Sequence, residues 1–309
     1  MHGTSLRIRR GFGIFTESSA GTRGVNRSRM KTGRFEIHEV RGGMFAVDGG
    51  AMFGIIPRAL WSKTNPPDEQ GRITMMMRSI LVSGAGRMIL VDTGAGTKLT
   101  EKQRKIYCIT EPDALIRSLD VRGVRPGDIT DVILTHLHFD HCGGSTAALR
   151  DGRLEPAFPN ARFYVQRAQY EWAQNPPDRD EASFFAENYE PLHEQGRLQL
   201  LDGPCEIIPG VEVLVVTGHT PGQQLPKVSG DDRTVLFGAD LVPLVSHLPL
   251  VYGMAYDHWP LTTIEEKRRI LSQAADGCWV VVFEHDPLIA AGTIKQSEKG
   301  FALDERIDL

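Results

Sequence analysis

Thr135-His136-Leu137-His138-Phe139-Asp140-His141-Cys142-Gly143-Gly144 follows directly on the apolar run Val132-Ile133-Leu134. A short β-branched run of this kind reads as a buried strand. The glycine pair, with Ser145-Thr146-Ala147-Ala148-Leu149 after it, reads as a turn into a helix. Three histidines and an aspartate therefore fall where a strand ends, open to a ligand yet rigidly held. Nitrogen and oxygen donors at this density suit zinc or a similar first-row metal. Ser or Asn would serve a plain turn better.

The same pattern returns along the chain. Met88-Ile89-Leu90-Val91 reads as a strand that ends in Asp92-Thr93-Gly94. Asp92 is either a turn former or a carboxylate that orients a metal-facing histidine. A strand-rich stretch from Cys205 to Val216 ends in Thr217-Gly218-His219-Thr220-Pro221-Gly222. Thr234-Val235-Leu236-Phe237 ends at Gly238-Ala239-Asp240, and Trp279-Val280-Val281-Val282-Phe283 ends at Glu284-His285. Each of these alone is unremarkable. If the strands are neighbours in packed sheets, their ends converge on one edge. His136 and His138, two apart, point to the same side of an extended segment.

Between these points, Phe35 to Val40 alternates like a half-buried strand, Gly42-Gly43 is expected to turn it, and Met44 to Val47 reads as the next strand. Gly49 to Gly54 reads as a flexible apolar loop, followed by a helical turn at Pro57 to Trp61. Ile73 to Val82 reads as a strand. Thr110, with Asp113 three residues on, is expected to cap a helix that buries Leu115, Ile116 and Leu119 and stops at Gly123. Arg162 to Val165 reads as a strand, Arg167 to Ala173 as a helix, and Thr263 to Ala275 as a charged amphipathic helix. Residues 174–195 are irregular and aromatic, with Phe184, Phe185 and Tyr189 near Trp172. The loop 49–61 and the stretch 172–189 are expected to wall a hydrophobic pocket.

A chain of 309 residues has room for one large domain. Its hydrophobic content of 41% and charged content of 24% are those of an ordinary globular protein. No run approaches a transmembrane helix. The formal charge of −4 gives no general attraction to nucleic acid. Residues 1–29 carry six arginines and one acid, hence +5, which leaves −9 on the remainder. That segment is expected to be a flexible Arg-rich extension before a single domain at 30–309. Its composition is also that of an organellar transit peptide. Phe12, Ile14 and Phe15 in it could form an arm on a partner subunit in a homodimer. Cys108, Cys142, Cys205 and Cys278 form no CxxC pair, so a reducing cytoplasm is expected.

Taken together, Val91-Asp92-Thr93-Gly94, the HxHxDH stretch at 136–141, Gly218-His219-Thr220-Pro221-Gly222, Asp240 after Phe237-Gly238-Ala239, and His285 resemble the metallo-β-lactamase superfamily over about residues 35–290. The resemblance implies an α/β fold in four layers, an αββα sandwich of two similar halves. It implies one metal on His136, His138 and His219, a second on Asp140, His141 and His285, and Asp240 bridging both. Asp140 and Asp240 would then be catalytic as well as ligating. The cofactors would be two divalent ions, zinc first, with manganese, cobalt and iron also accepted by such donors. The implied chemistry is hydrolysis by a metal-bridging hydroxide.

Within the superfamily, zinc β-lactamases lack the bridging aspartate. Cys142 is at no family ligand position and is expected to pack. The acidic body disfavours RNA-processing relatives, and no chain is left for a flavodoxin domain. Only a short tail with Lys295 and Lys299 follows His285, which weakens a glyoxalase II-like thioesterase. The region Phe237 to Pro243, with His247 and Ala255-Tyr256-Asp257, is similar to quorum-quenching N-acyl-homoserine lactonases and methyl parathion hydrolase-like organophosphate hydrolases. The implied substrate is a small hydrophobic lactone, ester or phosphotriester, with no nucleic-acid or membrane partner. The chain departs in one respect. Lactonases place a tyrosine shortly after the bridging aspartate, where this chain has Leu241-Val242-Pro243-Leu244. Tyr252, Tyr256, His247 and His258 are the candidates to stand in for it at the substrate. A mononuclear iron oxidoreductase of persulfide dioxygenase type is the rival enzyme, and a metal-stabilised binding protein the non-enzymatic rival.

Overall fold

The computed structural model describes residues 29–309. The expected extension, including Phe12, Ile14 and Phe15, lies outside the described residues except for Arg29. The first half supplies β1 (Met30–Thr32), β2 (Phe35–Asp48), β3 (Arg72–Gly84), β4 (Arg87–Val91) and β5 (Asp131–Ile133). A small hairpin, β6 (Thr146–Ala148) with β7 (Leu154–Pro156), stands apart, and β8 (Arg162–Gln166) and β9 (Leu198–Leu201) complete a seven-stranded sheet in the order β1-β2-β3-β4-β5-β8-β9. The second half runs β10 (Cys205–Ile208), β11 (Val211–Val216), β12 (Gln223–Ser229), β13 (Thr234–Phe237), β14 (Val280–Val282), β15 (Ala291–Ser297) and β16 (Gly300–Ile307), again seven strands, ordered as in the chain.

The side-chain period of two explains how the layers form. Ile80, Val82, Ile89, Val91 and Ile133 point between the sheets, where they meet Val213, Leu225, Val235 and Phe237 of the second sheet. Their neighbours Leu81, Leu90, Val132 and Leu134 point the other way. These pack with Leu115 and Leu119 of the helix Ala114–Asp120 and with Tyr170 and Ala173 of the helix Arg167–Gln174. A strand buried on both faces reads as a continuous apolar run, as Val132-Ile133-Leu134 does. The helix Pro260–Asp276 packs Ile270, Leu271 and Ala274 into the core of the second sheet. These are the expected sandwich layers.

Several local expectations change. Gly42-Gly43 does not turn the chain. Arg41 pairs with Arg78 and Met44 with Met76, so one extra residue is absorbed as a bulge within a single strand. Gly43, at φ 102°, takes the strain that a β-carbon would not tolerate. Gly49–Phe53 is a short helix, not a loop, and Asp48 caps it by accepting from Ala51 N at 2.8 Å. The capping box lies at Thr100 and Gln103, on the helix Glu101–Ile106, while the next helix begins at Ala114 and leaves Ile116 38% exposed. No helix follows Gly143-Gly144. A β-carbon on either glycine would fall 2.3 Å from a carbonyl oxygen, of Ala95 or Thr93. The pair therefore serves close backbone approach, and the chain goes on into β6. The tail after His285 forms β15 and β16, which complete the second sheet.

Candidate metal centre

β4 and β5 run parallel, as do β13 and β14, so the carboxyl ends within each pair lie side by side. Asp92 follows β4, and His136 follows β5 by three residues. Asp240 lies just after β13 in the turn Ala239–Leu241, and His285 lies just after β14. His219 follows β11 by three residues, while Phe139–Cys142 is a short helix that carries Asp140 and His141.

All seven side chains expected from the sequence meet. His138 Nδ1 is 3.0 Å from His136 Nε2 and 3.3 Å from His219 Nε2. His141 Nε2 is 3.3 Å from His285 Nε2. Asp240 Oδ2 lies 3.2 Å from His219 Nε2 and 3.6 Å from His141 Nε2, and its Oδ1 lies 3.1 Å from His285 Nε2. Asp140 Oδ2 is 3.8 Å from both His141 Nε2 and His285 Nε2.

Each ring is fixed from behind. Thr135 Oγ1 donates to Asp92 Oδ2 at 2.6 Å, so it can only accept from His136 Nδ1, 3.0 Å away. His141 Nδ1 faces Asp92 Oδ2 at 3.0 Å, His219 Nδ1 faces Asp257 Oδ1 at 3.1 Å, and His285 Nδ1 donates to the Met76 carbonyl at 2.8 Å. In each case the outer nitrogen is held by an acceptor, so the inner one is the atom free to ligate a metal once its own proton is displaced. His138 is reversed: its Nδ1 faces inward, and Nε2 lies 3.2 Å from Asp180 Oδ1.

Five inner ring nitrogens thus converge, 3.0 Å apart for His136 and His138 and 3.3 Å apart for His138 and His219 and for His141 and His285. Tetrahedral zinc with nitrogen ligands at 2.0–2.1 Å has ligand–ligand edges of roughly 3.3 Å. Electrostatics agrees. Burial lowers the basicity of His285, yet Asp240 and Glu284 overcome it and raise that imidazole to about 9. Burial disfavours the charged Asp240, yet His141, His285 and His219 hold it well below the carboxylate range. Asp240 Oδ1, buried, has no hydrogen-bond partner. The carboxylates thus favour positive charge where the inner ring nitrogens meet, carried by protons or by a cation. The donor set fits one cation on His136, His138 and His219 and another on Asp140, His141 and His285, with Asp240 between.

Of the accessory candidates, Asp92 lies against His141 Nδ1. Its backbone, at φ 56°, is in the left-handed region, and its Oδ1 also accepts from Thr135 N at 2.7 Å. Tyr256 lines the cavity over the metal residues, and burial raises its hydroxyl to about 12. His258 places Nε2 2.9 Å from Asp180 Oδ2 and so stands behind His138. His247 and Tyr252 do not reach the cavity. His247 donates from Nε2 to the Met52 carbonyl at 2.8 Å and stacks on Phe53, and Tyr252 packs edge-on to the same ring. Cys142 is buried, with Sγ 3.3 Å from the Leu137 carbonyl. Sequence reasoning missed Thr135, Asp180, Asp257 and Glu284. Glu284 Oε1 is 3.1 Å from His141 Nδ1, and burial raises its carboxyl to about 8. Asp180, in Pro177-Asp178-Arg179-Asp180, carries no signal that separates it from Asp178.

The cavity holds about 350 Å³. Phe45, Met52, Met75 and Met254 make it apolar, Tyr107 packs against Phe139 at 4.5 Å with the rings tilted by 34°, and Arg179 and Tyr256 add polar groups. The helix Gly49–Phe53 thus contributes Met52, as expected of that region. The stretch 172–189 also lines the cavity as expected, through Arg179, Asp180, Ala182 and Ser183, while its aromatics pack behind, Phe184 against His138 at 4.9 Å and Trp172 against His258 at 5.5 Å.

Comparison with known proteins agrees. An N-acyl homoserine lactonase of Bacillus cereus is 34% identical over 148 residues, 44% of this chain and 51% of that protein. The chain spans about half the length of the curated relatives it matches. A probable metal-dependent hydrolase from Staphylococcus aureus is 29% identical, with a TM-score of 0.81 over 90% of this chain and 100% of the other. A dizinc quorum-quenching lactonase in complex with a product shares the fold at a TM-score of 0.75 and 22% identity, over 91% of this chain and 98% of that one. The family model for the metallo-beta-lactamase superfamily matches residues 78–285, and the chain belongs to that superfamily.

Proposed function

We propose that the chain is a dinuclear metal-dependent hydrolase of small hydrophobic lactones, esters or phosphotriesters. One observation carries this reading: Asp240 turns one oxygen to His219 and the other to His285, so a single carboxylate reaches both histidine groups. His136, His138 and His219 would hold one ion, Asp140, His141 and His285 the other, and Asp240 both. When bound, such a pair supplies Lewis acidity and an acidified water nucleophile. Zinc fits the donors best. The same reading takes 30–309 as one catalytic domain and the cytoplasm as its place. All four cysteines are free, and among the described residues no helix is long and apolar enough to cross a membrane.

The chain's own residues have three tasks. The apolar side chains of the cavity exclude water and seat an acyl or aryl group. The carboxylates and carbonyl behind the rings hold the imidazoles in one tautomer. Tyr256, protonated at neutral pH, offers a proton to the leaving oxygen. It replaces the missing tyrosine near residue 243, where Val242 and Leu244 are core. Lactone preference is supported by the lactonase relatives. A panel of acyl-homoserine lactones, aryl esters and phosphotriesters, run on protein loaded with zinc, manganese or cobalt, tests the reading. Turnover of at least one class is expected. No turnover with any metal, together with chelator-sensitive melting, would favour the binding protein.

A further inference from the structure

The two histidine groups are anchored mainly in different parts of the fold; only His136, held through Thr135 Oγ1, shares Asp92 with His141. Behind His141 stands Asp92, at the end of β4, and behind His285 stands the Met76 carbonyl of β3. Both anchors belong to the first sheet. Behind His138 and His219 stand Asp180 and Asp257, which lie in no strand. Asp180, Met254 and Tyr256 line the cavity, so these two anchors belong to its wall.

Asp180 is built into that wall. It is 4% exposed, accepts from Trp172 Nε1 at 2.9 Å and faces His258 Nε2 at 2.9 Å. His138 Nε2 is buried and has no aligned hydrogen bond, so Asp180 Oδ1 at 3.2 Å is its charged neighbour. The two wall segments are also tied to each other. Arg179 donates to the Ala255 carbonyl, His258 N donates to the His219 carbonyl at 3.1 Å, and Asp257 Oδ2 accepts from Met254 N at 3.0 Å.

We infer that Asp180 is a positioning residue that ties the orientation of His138 to the cavity wall, so that the wall controls the ion on His136, His138 and His219 while the ion on His141 and His285 is set by the sheet. A carboxylate behind a ligating imidazole fixes its tautomer and raises its basicity. A shift of the wall that moved Asp180 would weaken one ion, and by linkage that ion would favour one wall position. The inference rests on the two-ion reading of the site.

Titration of the metal-free protein with cobalt(II), followed by its visible absorption, tests it without turnover. The wild type is expected to fill in two phases. Asp180→Asn should weaken one phase by about 10- to 100-fold and leave the other unchanged. Asp92 faces His141 directly and His136 only through Thr135, so Asp92→Asn should weaken chiefly the other phase. Arg179→Ala touches no imidazole and should weaken the same phase as Asp180→Asn, to a smaller extent. Should Asp180→Asn fail to fold, His258→Gln carries the same expectation. Two unchanged phases, or an equal loss in both, would overturn the inference and leave Asp180 as a structural staple. A wild type that binds a single cobalt would overturn the two-ion reading. Asp180 is then judged by whether Asp180→Asn weakens that one ion.

Discussion

Asp92 Oδ2 lies 3.0 Å from His141 Nδ1, while the same carboxylate accepts from Thr135 N at 2.7 Å and from Thr135 Oγ1 at 2.6 Å. One buried side chain thus joins the end of β4 to the start of the metal stretch. Asp92→Ala leaves a buried N–H and hydroxyl without their acceptor, which costs about 1–3 kcal/mol. Urea denaturation of the metal-free variant should show that loss. An unchanged midpoint would mean that the carboxylate matters only when metal is bound.

Lys267 is 1% exposed and donates from Nζ to the carbonyls of His247 at 2.5 Å, Tyr252 at 2.8 Å and Pro249 at 3.0 Å. Burial lowers its ammonium to about 7, below the roughly 10.4 of an unfolded lysine. The unfolded chain therefore binds more protons between these values, and stability rises with pH across that window, by at most about 1.4 kcal/mol per pH unit. Other groups titrate there too, so the difference from Lys267→Met is the quantity to read. Wild type should gain stability from pH 7 to pH 9 relative to that variant. A flat difference would mean that the carbonyl cage holds the charged form against burial.

Tyr256, like any tyrosine, is protonated at neutral pH, and burial pushes its hydroxyl further up, to about 12. Tyr256→Phe should therefore lower kcat on alkyl esters and lactones by about 10²-fold or more. Nitrophenyl esters, whose leaving group needs no proton, should lose little. Equal losses on both classes would assign the hydroxyl to binding rather than proton transfer.

Much of this site was legible in the sequence because strand-end chemistry leaves a local mark. An apolar run of four or five residues followed by His or Asp marks the end of a strand, and Asp92, Asp240 and His285 each stand just beyond one. Their convergence follows from the parallel pairing of β4 with β5 and β13 with β14. Residues without such a mark were missed. Asp180 and Asp257 act through tertiary contacts with His138 and His219, and no period or cap announces them. Glycines misled twice, at Gly42-Gly43 and Gly143-Gly144. A glycine needed for a bulge or for close backbone approach has the same letter as one needed for a turn. His247 and Tyr252 looked like site residues by position, but they serve the packing around Phe53.

Asp240 faces the inner nitrogens of both histidine groups, through Oδ2 to His219 and Oδ1 to His285. Metal stoichiometry of the wild type and Asp240→Ala, by elemental analysis after reconstitution, tests the central claim most directly. Two divalent ions per chain are predicted for the wild type and one or none for Asp240→Ala, with turnover reduced by about 10²-fold or more. A single iron per wild-type chain with oxygen uptake, or an Asp240→Ala variant that keeps both ions and full turnover, would contradict it.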